Sequence, residues 1–359
     1  MSYHFLMDLA LILLSTKILG LAAQKFQMPQ VVGALIAGLI LSPAGLGLLS
    51  ETEFTAQLSE LGVIVLMFSA GMGTDIKELK NSGKAGFMVA VLGVVVPFLM
   101  GTALAWGADE LGLIETTSFL ESVFIGTILT ATSVSITVET LKEMKKLETK
   151  VGNTILAAAL IDDVLGLVAL TLVCSLAGGD ESIGMVLLKI AGFFVFAFVV
   201  GFAANRAFCW MLKRQHGWAS HRNSVFAFVL CLVMAYCAEE FFGVADITGA
   251  YAAGLAVACT PKGTYIQTKY NPLGYLLLTP VFFASIGINV QITGLTGGML
   301  AFSLLLLLIS IISKLLGCGL GAKVCHFSTR ESIQVGAGMA CRGEVALIVA
   351  NRGLVMISS

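Results

Sequence analysis

Charge is what this sequence has least of. Only 12% of its 359 residues are Asp, Glu, Lys or Arg, whereas 57% are hydrophobic and the mean hydropathy is +0.95. A water-soluble domain needs a charged surface, and this composition excludes one. The net charge of −1 leaves no electrostatic footprint for nucleic acid or for an acidic partner. The four histidines lie near predicted span ends, and none has metal-ligand spacing. No two of the eight cysteines form a C-x-x-C pair, and nearly all lie inside apolar runs, so they read as small hydrophobes. No basic stretch precedes the first apolar segment, only Ser2, Tyr3 and His4, which argues against a cleaved leader. A nucleophile–base set and a phosphate-binding loop are missing too, because Gly317-Cys-Gly319-Leu-Gly321 falls inside an apolar run with no strand before it. Neither an enzyme nor a resident cofactor is expected.

What is present is apolar length. A bilayer core of about 30 Å needs roughly 20 apolar residues per helical span. Cut at its polar loops, the chain yields twelve spans, at 5–23, 30–49, 57–74, 84–107, 119–141, 151–176, 184–211, 223–242, 246–260, 273–290, 298–325 and 331–354. The expected class is an all-α polytopic membrane protein whose partner is the lipid bilayer. Basic residues fall in alternate loops, as in the clusters Lys77, Lys80, Lys84 and Lys142, Lys145, Lys146, Lys150. Acidic residues such as Glu51, Glu53, Asp109 and Glu110 fill the loops between. The positive-inside rule then puts the N-terminus outside. Trp106, Trp210 and Trp218 lie at span ends, where amphipathic rings prefer to sit.

The chain also repeats itself. Span 2 contains Gly33-Ala-Leu-Ile-Ala-Gly38-Leu39 and span 9 contains Gly249-Ala-Tyr-Ala-Ala-Gly254-Leu255. Span 3 ends Phe68-Ser-Ala-Gly-Met-Gly73 and span 10 ends Phe282-Phe-Ala-Ser-Ile-Gly287. The two matches are offset by 216 and 214 residues, consistent with one duplication. Spans 2 and 9 are an odd number of crossings apart, so the copies lie inverted in the membrane. Secondary transporters are commonly built this way, with the substrate site where the copies meet, between interrupted helices. Completing the second copy requires one more span, expected beyond Ser359.

Chemistry concentrates at mid-span. Asp162 and Asp163 sit side by side about a dozen residues after Lys150, where each ionisable group costs on the order of 3 kcal/mol. Adjacent helical residues point about 100° apart, so the two carboxylates face different surroundings. Lys314, within a long apolar run, is the natural counter-charge. A carboxylate and an amine buried together switch between a salt bridge and two neutral groups, which is a way to carry protons. Thr130, Thr132, Ser133, Ser135 and Thr137 form a hydroxyl cluster in span 5. They can satisfy backbone groups freed by unwinding, coordinate a dehydrated cation, or bond back to their own helix. Arg342, Gly343 and Glu344 interrupt span 12 at the corresponding place, the two charges forming either a structural ion pair or part of the site.

Together the T-A-T-S run at 130–133, I-D-D-V at 161–164, P-x-F-F-x-x-I-G at 280–287, mid-span Lys314 and R-G-E-V at 342–345 resemble the bacterial cation/proton antiporter superfamily, in its Nap- and Kef-like branches. The resemblance covers essentially the whole chain. It implies a thirteen-helix inner-membrane subunit that works as a homodimer by elevator-like alternating access. A dimerisation domain would take 1–74 and 223–290, and a core transport domain 84–176 and 298–359, with 184–211 as the connecting helix. By position, Asp163 matches the family's essential ion-binding carboxylate, Asp162 its partner and Lys314 the lysine that bonds that partner. Sodium would bind at Asp162 and Asp163 with oxygens from Thr132 or Ser133, and exchange with protons would be electrogenic. Lithium or potassium as the transported ion stays open, as do a sodium-coupled solute symporter and a gated channel.

Overall fold

The computed structural model describes residues 4–114, 118–176, 183–214, 220–261, 263–290, 297–343 and 346. Glu344 lies outside them. In chain order the helices are α1 (His4–Lys25), α2 (Gln30–Leu41), α3 (Glu53–Met72), α4 (Ile76–Glu110), α5 (Phe119–Ile128), α6 (Val134–Glu143) and α7 (Lys150–Leu176). They continue as α8 (Ile183–Arg214), α9 (Ser220–Phe242), α10 (Asp246–Ala258), α11 (Gly263–Leu273), α12 (Thr279–Ile288), α13 (Gly297–Val324) and α14 (Thr329–Gly338). Among the described residues there is no strand. Eight helical stretches there are long and apolar enough to cross a membrane. Their outer faces agree: α8 leaves Phe194, Phe198 and Phe202 exposed at successive turns, which water would penalise and lipid does not.

Several boundaries differ from the sequence reading, each for a local reason. Lys77, Lys80 and Lys84, expected in a loop, belong to the first turns of α4, since lysine is a good helix former. The expected span 273–290 is preceded without a break by α11, and the ladder widens into a π-helical turn at Gly274–Leu278. That turn follows Pro272, which has no N–H to give to the preceding turn. The expected span 119–141 is two short helices, α5 and α6, separated by Leu129–Ser133.

The chain divides into two compact units: Met1–Asp75 with Lys142–Met144 and Ala191–Ile292, and Ile76–Leu141 with Lys145–Ile190 and Thr293–Ser359. In the first unit, glycines bring helix backbones into direct contact. Gly33 of α2 faces the backbone of Leu19 on α1, and Gly249 of α10 faces that of Met234 on α9. Gly38 faces Ala284 of α12, while Gly254 meets Phe68 and Gly71 of α3. The repeated G-A-x-x-A-G-L strings thus do matching work: the first glycine packs on the preceding helix, the second on α12 or on α3. Also in this unit, the Glu143 carboxylate accepts a 2.7 Å bond from the Gln30 N–H, capping α2, whose own N-cap Pro29 offers no side-chain bond. Burial holds the Glu143 carboxyl above the usual carboxylate value, while the Gln30 and Val31 amides pull the other way.

The second unit is also zipped by small residues. α4 packs extensively on α13 and on α7, with Gly317 against the Leu92 carbonyl, Gly321 against Val89, and Gly86 against Ala157. α14 starts on a capping box, in which Ser328 Oγ accepts from the Glu331 N–H and the Glu331 carboxylate accepts from the Ser328 N–H at 2.9 Å. These bonds hold the Glu331 carboxyl below its ordinary 4.5. A lowered folded value means that the carboxylate contributes stability above pH 4.5 and loses it as pH falls through the folded value. Glu331→Gln is therefore expected to lower thermal stability at neutral pH, with the difference from the unmodified chain shrinking on acidification. Melting the pair across pH checks this, and a difference that grows at low pH would contradict it.

Candidate functional site

Asp162 stands twelve residues into α7, about 18 Å along the helix at 1.5 Å per residue. Lys314 lies at a comparable depth from the far end of α13. The structure joins them: Lys314 Nζ donates to Asp162 Oδ1 at 2.9 Å and to Oδ2 at 3.0 Å. Their side chains are 0% and 1% exposed, so this is an interior pair rather than a snorkelling lysine near a surface carboxylate. Four hydrogen-bonded turns of apolar α13 precede Lys314, which fixes the amine's position along the helix. Thr132 lies beside Asp162.

Thr132 and Ser133 belong to the break between α5 and α6. They meet the chain just past the end of α14, at Met339–Gly343, which is not helical. Ser133 donates its N–H to the Cys341 carbonyl at 2.9 Å, Thr137 Oγ1 donates to the Gly338 carbonyl at 3.1 Å, and Thr132 Oγ1 lies 3.4 Å from the Met339 carbonyl. Two non-helical segments at membrane depth thus satisfy each other's polar groups, the condition on which irregular backbone survives there. The Ser133 hydroxyl lies 3.1 Å from Ser135 Oγ and 3.4 Å from the Ile136 N–H, so it also caps α6.

Arg342 is brought to the same place. Its guanidinium donates to the Ala131 carbonyl, and its other amino group lies 3.4 Å from the Ser310 carbonyl on α13. The carbonyl end of a helix carries partial negative charge, and a cation there is favourable. Arg342 therefore closes the broken end of α5 as well as lying near Asp162. The Arg342 partnership with Ala131 was not read from the sequence. A helix broken at Thr130–Ser133 leaves carbonyls in need of donors, and that was the available signal. Asp163 follows Asp162 on α7 and is partly buried, with both carboxylate oxygens shielded from solvent. Among the described residues no group of His, Cys, Asp and Glu is arranged to hold a metal ion as a cluster.

Long apolar helices around a secluded carboxylate–ammonium pair, beside a helix broken at mid-depth, make this a multi-pass membrane transporter. Residues 10–356 match the family described as sodium/hydrogen exchanger, transmembrane. The chain belongs to that family, within the monovalent cation/proton antiporter superfamily. It is 38% identical over 357 residues to a Na(+)/H(+)-K(+) antiporter, GerN, of Bacillus cereus, covering 99% of this chain and 89% of that one. It is 36% identical over 352 residues to a Na(+)/H(+) antiporter of Enterococcus hirae, covering 98% and 90%. Its fold is similar to that of the sodium proton antiporter MjNhaP1 from Methanocaldococcus jannaschii at pH 8, with a TM-score of 0.68 and 19% identity over 99% of this chain and 86% of that one.

Proposed function

We propose that this protein exchanges sodium for protons across a bacterial inner membrane, with its N-terminus outside, and that Asp163 is where the two ions compete. The observation that carries the reading is the secluded bidentate Asp162–Lys314 pair with Thr132 at its side. A hard cation prefers oxygen ligands, and Asp163, Asp162 and the hydroxyls of Thr132 or Ser133 supply them. One carboxylate cannot hold a proton and a sodium ion together, so arrival of one releases the other. When sodium also draws on Asp162, the proton that Asp162 shares in its bridge to Lys314 is displaced as well. More than one proton then leaves per sodium, which makes the exchange electrogenic.

Alternating access from an inverted repeat of twelve spans agrees with the matching glycine contacts of α2 and α10. In this reading, residues 1–74 and 223–290 form the dimerisation domain of a homodimer, 184–211 the connecting helix, and 84–176 with 298–359 the moving core. Potassium is the second cation to weigh, because the related GerN is described as a Na(+)/H(+)-K(+) antiporter.

Proteoliposomes loaded with a pH-sensitive dye and given a preset pH gradient test the proposal. Sodium is expected to dissipate the gradient, lithium and potassium to do so less well, and an imposed membrane potential to change the rate. Solute uptake without proton movement would move the reading to a symporter, and potassium acting as well as sodium would move it to the second cation.

A further inference from the structure

α1 carries a charge that the proposed exchange does not use. Lys17 stands eight residues before the end of a helix long and apolar enough to cross a membrane, roughly 12 Å from that end at 1.5 Å per residue, and its side chain is exposed. Its Nζ donates to the Tyr275 hydroxyl at 3.2 Å and lies 5.1 Å from the centre of the same ring. Tyr275, in the π-helical turn that follows Pro272, donates in turn to Gln30 Oε1 at 3.1 Å. A Cβ on Gly20 would come 3.5 Å from the Gln30 side chain, so Gln30 sits beside α1 one turn beyond Lys17. The amine therefore leans toward the helix end, where the bilayer meets water. It arrives there without a counter-charge. Among the described residues Lys17 forms no ion pair, and the Glu143 carboxylate beside Gln30 is taken up by the Gln30 backbone amide. From Lys17 toward the other end of α1, the exposed side chains of Ile18, Leu14 and Met7 follow one another along one face, with Leu276 exposed beside Tyr275.

We propose that Lys17, Tyr275 and Gln30 form the headgroup site of a single anionic phospholipid, whose acyl chains lie along Ile18, Leu14 and Met7. An ammonium has three donors, and Tyr275 takes one of them. The other two are directed to the phosphate oxygens in charge-assisted bonds, which are the strong ones. Gln30 accepts from Tyr275 through its oxygen and so keeps its amide N–H groups for the same headgroup. A net negative charge is what the site selects, because a zwitterionic headgroup brings its own cation to compete with Lys17 for the phosphate. Free phosphate has the charge but no chains to cover the apolar track. The site belongs to the surface of the first unit and does not depend on which cation is exchanged.

Native mass spectrometry of the purified full chain, after equilibration with phosphatidylglycerol and phosphatidylcholine in equal amounts, tests this. The unmodified chain is expected to retain a single phosphatidylglycerol in preference to phosphatidylcholine. Lys17→Gln is expected to lower that occupancy by at least about fivefold, the factor a lysine contributes at an anionic membrane surface, and Lys17→Arg to keep it. Tyr275→Phe removes the hydroxyl between Lys17 and Gln30 and is expected to lower occupancy by a smaller factor; it decides the matter should Lys17→Gln fail to fold. Lys269→Gln removes an exposed charge that lies over Tyr265 instead, and is expected to change nothing. Thermal unfolding gives a second reading: added phosphatidylglycerol should raise the melting temperature of the unmodified chain and not that of Lys17→Gln. Equal retention of the two lipids, unchanged occupancy in whichever of Lys17→Gln and Tyr275→Phe folds, or an equal loss in Lys269→Gln would overturn the proposal. A dimer that holds no lipid and separates on Lys17→Gln would overturn it too, giving this face to a second copy of the chain.

Discussion

Asp163→Asn is expected to abolish sodium-driven proton movement while leaving the protein folded. Asn keeps the shape of the side chain but has no proton to release and no anionic charge for a cation. Asp163 is a different residue from the one held by Lys314, whose bidentate bonds run to Asp162. The substitution therefore leaves the buried ion pair and its stabilisation in place. A dehydrated cation that loses its anionic ligand binds at least about 100-fold more weakly, roughly 2.7 kcal/mol, and the competing proton site disappears at the same time. Flux in proteoliposomes should fall to the background of empty vesicles at every pH, with a melting temperature close to that of the unmodified protein. Exchange at a rate within a few-fold of the original would remove Asp163 from the mechanism.

Lys314→Ala is expected to have the largest effect on stability. It leaves Asp162 charged, secluded and without its ammonium, and breaking a buried pair from one side costs on the order of 3 to 5 kcal/mol. Asp162→Asn together with Lys314→Gln removes both charges and leaves polar groups able to bond to each other. The double variant should therefore unfold at a higher temperature than Lys314→Ala, recovering much of the loss. If exchange survives in the double variant, its rate should no longer respond to an imposed potential, because the second proton carrier has gone. Thermal unfolding of the purified proteins and flux with and without a potential read the two effects separately. Equal stability of the single and double variants would show that an uncompensated Asp162 charge is not what destabilises Lys314→Ala.

The charges were legible in the sequence because an apolar background makes them conspicuous. Asp162, Asp163 and Lys314 each interrupt long hydrophobic runs, and the pairing of Asp162 with Lys314 follows from the cost of leaving either alone. The break near Thr132 was legible from hydroxyls crowded at membrane depth. Less visible was anything decided by backbone geometry. The start of α4 was placed too late because lysines that read as loop residues also make good helix. Arg342 was noticed as a charge, but its attachment to the Ala131 carbonyl depends on where two segments cross.

The meeting of the two non-helical segments has a consequence for how the protein is made. Thr132 meets Met339 across 207 residues, and Asp162 is joined to Lys314 across 152. A ribosome delivers α5 to α7 into the membrane long before it reaches α13 and α14, so the polar groups of the break have to wait for their partners. During that interval a growing chain holds Asp162 without Lys314, which on the exchange proposed above is half of the ion site. On that proposal it passes neither sodium nor protons until its C-terminal helices arrive, and an unfinished molecule does not short-circuit the membrane that is producing it.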